Sequence, residues 1–91
     1  MFGFHVYKVA GHSMEPAIAA GSYVLLKARQ SYSIGDAVVF KAPDGQLFLK
    51  RIGAIHGTAY TMRGDNTNTS HDSRDFGTIE KHNIIGKVVW H

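Results

Sequence analysis

The stretch AVVFKAPDGQLFLKRIGAI, residues 37–55, decides the fold class. It holds two runs rich in β-branched and aromatic residues, which predict strands over Ala37–Ala42 and Gln46–Ile55. Between them, Pro43-Asp44-Gly45 has the composition of a tight turn, because Pro presets the backbone and Gly accepts a positive φ. The two runs are therefore predicted to form a β-hairpin.

Similar apolar runs recur on both sides of this hairpin, separated by Gly, Pro, Asp and Asn. They predict strands over His5–Val9, Tyr23–Ala28, Ala59–Arg63 and Ile84–Trp90. A further turn is expected at Ser33–Asp36, and Pro16 should open one helical turn over Ala17–Ala20. The expected fold is a small, mainly β domain with one or two short helical turns.

Length and composition narrow the function classes. The 91 residues, 44% of them apolar, suit one compact domain over residues 1–91. Cysteine is absent, which excludes disulfides, Cys-based metal sites and a catalytic thiol. The net charge of +3 is spread along the chain, so nucleic acid is not expected as a partner. His5 and Lys8 interrupt the apolar start, which predicts no signal peptide or membrane span and a cytoplasmic location.

The segment Gly11-His12-Ser13-Met14-Glu15-Pro16 offers a nucleophile. Ser13 follows a predicted strand and precedes a turn that begins at Pro16. Gly11 would allow a substrate carbonyl to approach the backbone, and N–H groups at the start of a turn can stabilise an oxyanion. Taken alone, the segment fits a plain turn or capping role for Ser13 better.

Lys50 offers a base. Side chains alternate between the faces of a strand, so Lys50 should share a face with Phe48 and Ile52. Burial between two large apolar side chains would penalise the ammonium form, and burial can lower the pKa of a lysine by as much as about 3–5 units. The alternative is a surface lysine at a strand edge whose amine reaches into water.

The segment 64–77, GDNTNTSHDSRDFG, has no hydrophobic period. Polar loops of this length are uncommon in small domains unless they are functional or disordered. Asp72 and Arg74 could pair and brace the loop, and Ser70 could then orient a neutral lysine amine. The alternative is a surface loop rich in turn-forming residues.

These segments together resemble the type I signal peptidase family, which shares a clan with the LexA-type self-cleaving repressors. The resemblance rests on four boxes, which occur in the family's order. They are Gly11-His12-Ser13-Met14-Glu15-Pro16, Gly35-Asp36-Ala37-Val38-Val39-Phe40, Lys50-Arg51-Ile52-Gly53, and Gly64-Asp65-Asn66 with Ser70, Asp72, Ser73, Arg74 and Gly77.

The resemblance implies a signal peptidase/LexA-like catalytic core that acts as a serine endopeptidase. Ser13 would be the nucleophile and Lys50 the general base, with Gly11 and Met14 in contact with the substrate. Ser70 would hydrogen-bond the lysine amine, and Asp72 with Arg74 would brace the site. The Ser13 N–H would supply the oxyanion hole, since Gly11 stands where some members carry an additional hydroxyl donor.

The ending Ile85–His91 looks like that of the small peptidases that mature nickel-type superoxide dismutase. This likeness implies a protein precursor as the partner, from which an N-terminal leader or propeptide is removed. No cofactor and no metal are expected in the peptidase itself.

Three alternatives remain open. A Ser-His-Asp hydrolase is disfavoured, because no G-x-S-x-G is present and His12 adjoins Ser13, where side chains point apart. A LexA-like regulator that cuts its own chain would need a cleavable segment well upstream, and twelve residues precede Ser13. A non-catalytic metal-binding or interaction module is the third, although the six histidines show no ligand spacing.

Overall fold

The computed structural model describes residues 3–66 and 77–91. Within these ranges the chain forms seven strands and one short 3₁₀ turn. In chain order they are β1 (Phe4–Lys8), β2 (Tyr23–Lys27), β3 (Ala37–Lys41), β4 (Leu47–His56), β5 (Ala59–Arg63), β6 (Ile79–Glu80), the 3₁₀ turn (Lys81–Asn83) and β7 (Ile84–Trp90). The mainly β fold is therefore confirmed.

The described strands build one antiparallel sheet in the order β1-β2-β7-β3-β4-β5-β6. The predicted hairpin is confirmed, because Val39 pairs with Leu49 and the Ala42 N–H donates to the Gln46 carbonyl at 2.9 Å. Gly45 takes a φ of 89° at the tip, which a residue with a Cβ rarely adopts. The last strand of the sequence lies near the middle of the sheet, between β2 and β3.

The core consists of two apolar clusters, which lie on opposite faces of the sheet because alternate residues of β3 belong to each. One cluster contains Val38 and Phe40, together with Tyr32, Ala42, Ile52, Tyr60, Met62, Ile79 and Ile84. The other contains Ala37 and Val39, together with Val9, Met14, Ile18, Val24, Leu26 and Leu49. β3 is thus buried on both faces, and the loop that follows β1 covers the second cluster.

Two local features differ from the sequence-based expectation. β6 was not predicted, and its two residues form a strand only through their pairing with Ala59 and Tyr60 of β5. The helical turn expected over Ala17–Ala20 is wrong, because its backbone groups find other partners. The Ala20 N–H donates to the Glu15 carboxylate at 3.2 Å, and the one α-type hydrogen bond of this loop runs from the Ile18 N–H to the Met14 carbonyl at 2.9 Å.

Gly86 of β7 is required where β2 ends. A Cβ at this position would lie 2.9 Å from the carbonyl carbon of Lys27 and 3.0 Å from its oxygen, and these backbone atoms cannot move away cheaply. Gly86→Ala should therefore lower the free energy of unfolding by about 1–3 kcal/mol, measured by urea denaturation. Gly53→Ala is the matched control, because its Cβ would meet its nearest neighbour at an ordinary 3.6 Å. Equal stability of the two variants would contradict this reading of the contact.

Candidate active site

Ser13 lies in the loop between β1 and β2, and hydrogen bonds close the two ends of that loop. The Val9 N–H donates to the Ser22 carbonyl and the Gly21 N–H to the Val9 carbonyl, both at 2.8 Å. The Ser13 side chain is half-buried, and its Oγ donates to the Leu49 carbonyl of β4 at 3.4 Å. The candidate nucleophile is therefore held against the strand that carries Lys50.

The residues on either side of Ser13 differ in their exposure. Met14 is only 1% exposed and belongs to the apolar cluster that also holds Ile18, so its side chain anchors the loop to the sheet. Gly11 is exposed at a φ of 81°, and no atom lies within 4 Å of where its Cβ would be. Substrate contact by Gly11 and Met14 stays a prediction, and in this conformation the Met14 side chain faces the core.

Lys50 is buried, with a relative exposure of 2%. Among residues 3–66 and 77–91, no other charged residue is buried. Lys50 lies between Phe48 and Ile52 on the β4 face that packs into the first cluster, as the alternation predicted. Its Nζ lies 5.9 Å from the centroid of the Phe48 ring. The alternative of a surface lysine at a strand edge is wrong.

The structure brings Ser13 and Lys50 to the same part of β4. The carbonyl that accepts from the Ser13 Oγ is that of Leu49, and it belongs to the peptide bond that joins Leu49 to Lys50. Ser-Lys chemistry needs a hydroxyl within reach of an unprotonated lysine amine, since the base must lose its proton before it can take one from the hydroxyl.

Arg51, the next residue, points away from the Lys50 face and links two loops. Its Nε and Nη2 donate to the two carboxylate oxygens of Asp65 at 3.0 and 2.7 Å, and its Nη1 donates to the Gly35 carbonyl at 2.8 Å. The hydrogen bond from Arg51 holds the pKa of Asp65 below its usual range, and Asp65 in turn raises the pKa of Arg51. This ion pair fixes the segment Gly64–Asn66 beside β4.

Asn66, which follows Asp65, contacts the loop that carries the nucleophile. Its backbone N–H donates to the Ser13 carbonyl at 2.7 Å, and its Nδ2 donates to the His12 carbonyl at 3.0 Å. Asn66 belongs to the fourth sequence box, but the sequence pattern predicted no role for it. No local pattern reveals this contact, because the two partners lie 54 residues apart.

His12 and Glu15 add a brace on the outer side of the same turn. The His12 Nδ1 lies 2.9 Å from one oxygen of the Glu15 carboxylate, and the other oxygen accepts the Ala20 N–H. The Ala20 and His12 hydrogen bonds lower the pKa of Glu15. The His12 side chain therefore bonds to Glu15.

Three predicted supporting residues, Ser70, Asp72 and Arg74, lie outside the described residues, and their roles stay predictions. Among the described residues, Arg51 and Asp65 form an ion pair near the site. Sequence reasoning missed this pair, although the alternation that placed Lys50 inward also placed Arg51 on the other face.

A cleft of about 200 Å³ lies beside the loop between β1 and β2, and the residues that line it include Asp36, Arg51 and Lys87. Its charges already have partners, because the Lys87 Nζ donates to the Asp36 carboxylate at 3.1 Å and Arg51 bonds Asp65. The Asp36, Arg51 and Lys87 side chains of this cleft are therefore already engaged in hydrogen bonds.

Two absences can be stated for residues 3–66 and 77–91. No group of three or more His, Asp or Glu side chains is placed to hold a metal ion. None of the helical segments there has the length and apolar character needed to cross a bilayer.

The Arg51–Asp65 pair predicts how stability depends on pH. Because the pKa of Asp65 is lowered in the folded state, its stabilisation is present above about pH 4 and is lost as the pH falls through the folded-state value. Asp65→Asn should lower the free energy of unfolding at pH 7 by about 1–2 kcal/mol, an amount moderated by partial solvent screening. Urea denaturation at pH 7, 5, 4 and 3 should show that the difference from the parent protein shrinks toward low pH. A stability difference between Asp65→Asn and the parent protein that stays constant from pH 7 to pH 3 would contradict this role of the ion pair.

Comparison with known proteins assigns the sequence to a family. No curated protein matches the chain. The family model described as Peptidase S24-like matches residues 4–89, a range that includes the nucleophile loop, β4 and the central strand β7. A match of this extent covers nearly the whole sheet, and the chain therefore belongs to the Peptidase S24-like family.

Proposed function

We propose that this protein is a serine endopeptidase with a Ser-Lys dyad, in which Ser13 is the nucleophile and Lys50 the general base. One observation carries the proposal. Lys50 is 2% exposed, and the carbonyl of the residue before it, Leu49, accepts a hydrogen bond from the Ser13 hydroxyl. A lysine without a catalytic role would keep its charged ammonium group in contact with water. Burial of a lysine removes its amine from water, which penalises the ammonium form and favours the free base.

The proposed reaction uses these two residues in turn. Neutral Lys50 takes the proton of the Ser13 hydroxyl as Oγ attacks the scissile carbonyl carbon, and the carbonyl oxygen becomes an oxyanion that the Ser13 N–H stabilises. The lysine ammonium then gives its proton to the leaving amine as the C–N bond breaks. A water molecule, deprotonated by the regenerated amine, hydrolyses the acyl-enzyme and restores Ser13.

The residues beyond Asn66 are assigned supporting roles by the same proposal. Ser70 would accept or donate a hydrogen bond at the Lys50 amine and keep its lone pair directed at Ser13. Asp72 and Arg74 would pair and brace the segment that carries Ser70. What supports this is the spacing of the fourth box, which begins at the segment that Arg51 holds against β4.

The proposed substrate is a protein precursor that loses an N-terminal leader or propeptide, and the nickel superoxide dismutase precursor is the first candidate. The support is the likeness of the Ile85–His91 ending to the peptidases that mature that enzyme. A synthetic peptide spanning the leader junction of such a precursor is the direct probe, with products identified by mass spectrometry. Cleavage at one bond supports the assignment, and an intact peptide removes this substrate.

A LexA-like module is the second candidate, either self-processing or non-catalytic, and the family match favours keeping it. The two functions differ in kinetic order. Cleavage of a separate peptide depends on the concentrations of both partners, whereas cutting of the protein's own chain has a rate that does not change on dilution. A peptide that is cut by catalytic amounts of the protein excludes the self-processing reading.

Ser13→Ala should abolish cleavage and leave the fold intact. Removal of a nucleophile typically costs about four or more orders of magnitude in kcat. The Ser13 side chain makes one long hydrogen bond, so the melting temperature should change little. Ser22→Ala is the matched control, because it also removes a serine-to-carbonyl hydrogen bond in the same loop. A folded Ser13→Ala protein with unchanged turnover would refute the dyad.

Lys50→Met and Lys50→Arg should both be inactive, for different reasons. Methionine keeps an apolar stem but has no basic nitrogen, and it should hold or raise stability because a buried polar group is gone. Arginine cannot lose its proton at a workable pH. Rates and melting temperatures should be compared with Lys41→Met, in which an exposed lysine of the neighbouring strand is replaced.

The rate of the parent protein should rise with pH as the Lys50 amine loses its proton. An active Lys50→Arg protein would show that Lys50 is not the base and would return a histidine-based mechanism to consideration.

A further inference from the structure

Asn66 holds the peptide bond that presents the Ser13 N–H. The His12 carbonyl and the Ser13 N–H belong to one planar trans peptide unit, so they point in opposite directions. Fixing the direction of the carbonyl therefore fixes the direction of the N–H. The Asn66 Nδ2 donates to this carbonyl at 3.0 Å.

The same carbonyl accepts a second hydrogen bond, from the Glu15 N–H at 3.1 Å. A carbonyl oxygen has two lone pairs, and both now have donors. One donor comes from within the turn, and the other comes from the distant segment after β5. Asn66 also donates its backbone N–H to the Ser13 carbonyl at 2.7 Å, so the peptide units on both sides of Ser13 are held.

The Ser13 N–H itself donates to no group in the described part of the chain. Donation to the carbonyl of a peptide polarises the whole unit and strengthens its N–H as a donor. A held and polarised N–H is what an oxyanion hole needs, because such donors act through their preorganisation.

We propose that Asn66 is a positioning residue for the oxyanion hole, acting through the His12–Ser13 peptide bond. This inference rests on the proposed peptidase function and deepens it. In this role Asn66 acts through the backbone that it holds, and its effect should fall on the transition state and not on substrate binding. The link also makes the Arg51–Asp65 pair a remote support of the same donor, since Asp65 precedes Asn66.

Asn66→Asp is the sharpest variant, because it keeps the shape and the backbone N–H but places a carboxylate oxygen where the amide donor was. We expect kcat to fall about tenfold to a thousandfold with KM changed less than twofold, by analogy with the loss of an oxyanion donor. Asn66→Ala should show a similar split. Ser22→Ala is the control, since it removes a hydrogen bond of the same loop from the Ala19 carbonyl.

The assay uses the junction peptide or, if that is not cut, the best-cleaved member of a random peptide library. A boronic acid built on the amino-side half of the cleaved peptide should bind the Asn66→Asp protein more weakly by the same factor as kcat. An unchanged kcat in a folded Asn66→Asp protein, or an equal loss in Ser22→Ala, would overturn the inference.

A readout without substrate separates this inference from the function on which it rests. The amide signal of Ser13 in a ¹H–¹⁵N correlation spectrum should shift in Asn66→Asp and stay in place in Ser22→Ala. An unshifted Ser13 amide overturns the positioning role even if the protein is an active peptidase. A shifted amide in a protein whose parent form cuts no peptide supports the positioning of the N–H and refutes the peptidase function.

Discussion

The bonds that Arg51 makes hold the candidate site together. The Arg51 guanidinium donates two hydrogen bonds to the Asp65 carboxylate and a third to the Gly35 carbonyl. It therefore connects the loop after β5 and the turn before β3 to the middle of β4. Because β4 alternates, the side chain that makes these bonds is the direct neighbour of the one that enters the core. The burial of Lys50 and the hydrogen bonds of Arg51 thus both follow from the alternation of these two neighbouring residues on β4.

Specific contacts join the described parts of the four sequence boxes in space. The first box reaches the third through the Ser13 hydroxyl and the Leu49 carbonyl, and it reaches the fourth through Asn66. The third reaches the second through the Ile52 N–H and the Asp36 carbonyl at 2.9 Å. In this arrangement the candidate nucleophile, Ser13, lies on a loop and the candidate base, Lys50, lies on a strand. The loop is made rigid by its closed ends and by the burial of Met14.

Features set by local rules were predictable from the sequence. The strands over Ala59–Arg63 and Ile84–Trp90 and the hairpin at Pro43-Asp44-Gly45 depend on period-two patterning and turn residues, and they agree with the structure. The burial of Lys50 followed from its two neighbours on one face. β6 and the Asn66 contacts could not be predicted, because each exists only through a partner far away in the chain. The expected turn at Ala17–Ala20 failed for a related reason, since a side chain, Glu15, takes the backbone donor of Ala20.

The position of β7 has a consequence for the moment at which the sheet can assemble during synthesis. Its residues are the last strand in the sequence, yet they pair with β2 on one side and β3 on the other, in registers such as Leu25 with Trp90 and Val38 with Lys87. During translation, the segment that carries Ser13 and the one that carries Lys50 emerge from the ribosome well before the strand that joins their halves of the sheet. Closing such distant pairs is slow and comes late. A nascent chain therefore holds both of these segments while still lacking the assembled sheet, which can close only after residues 84–90 have been released.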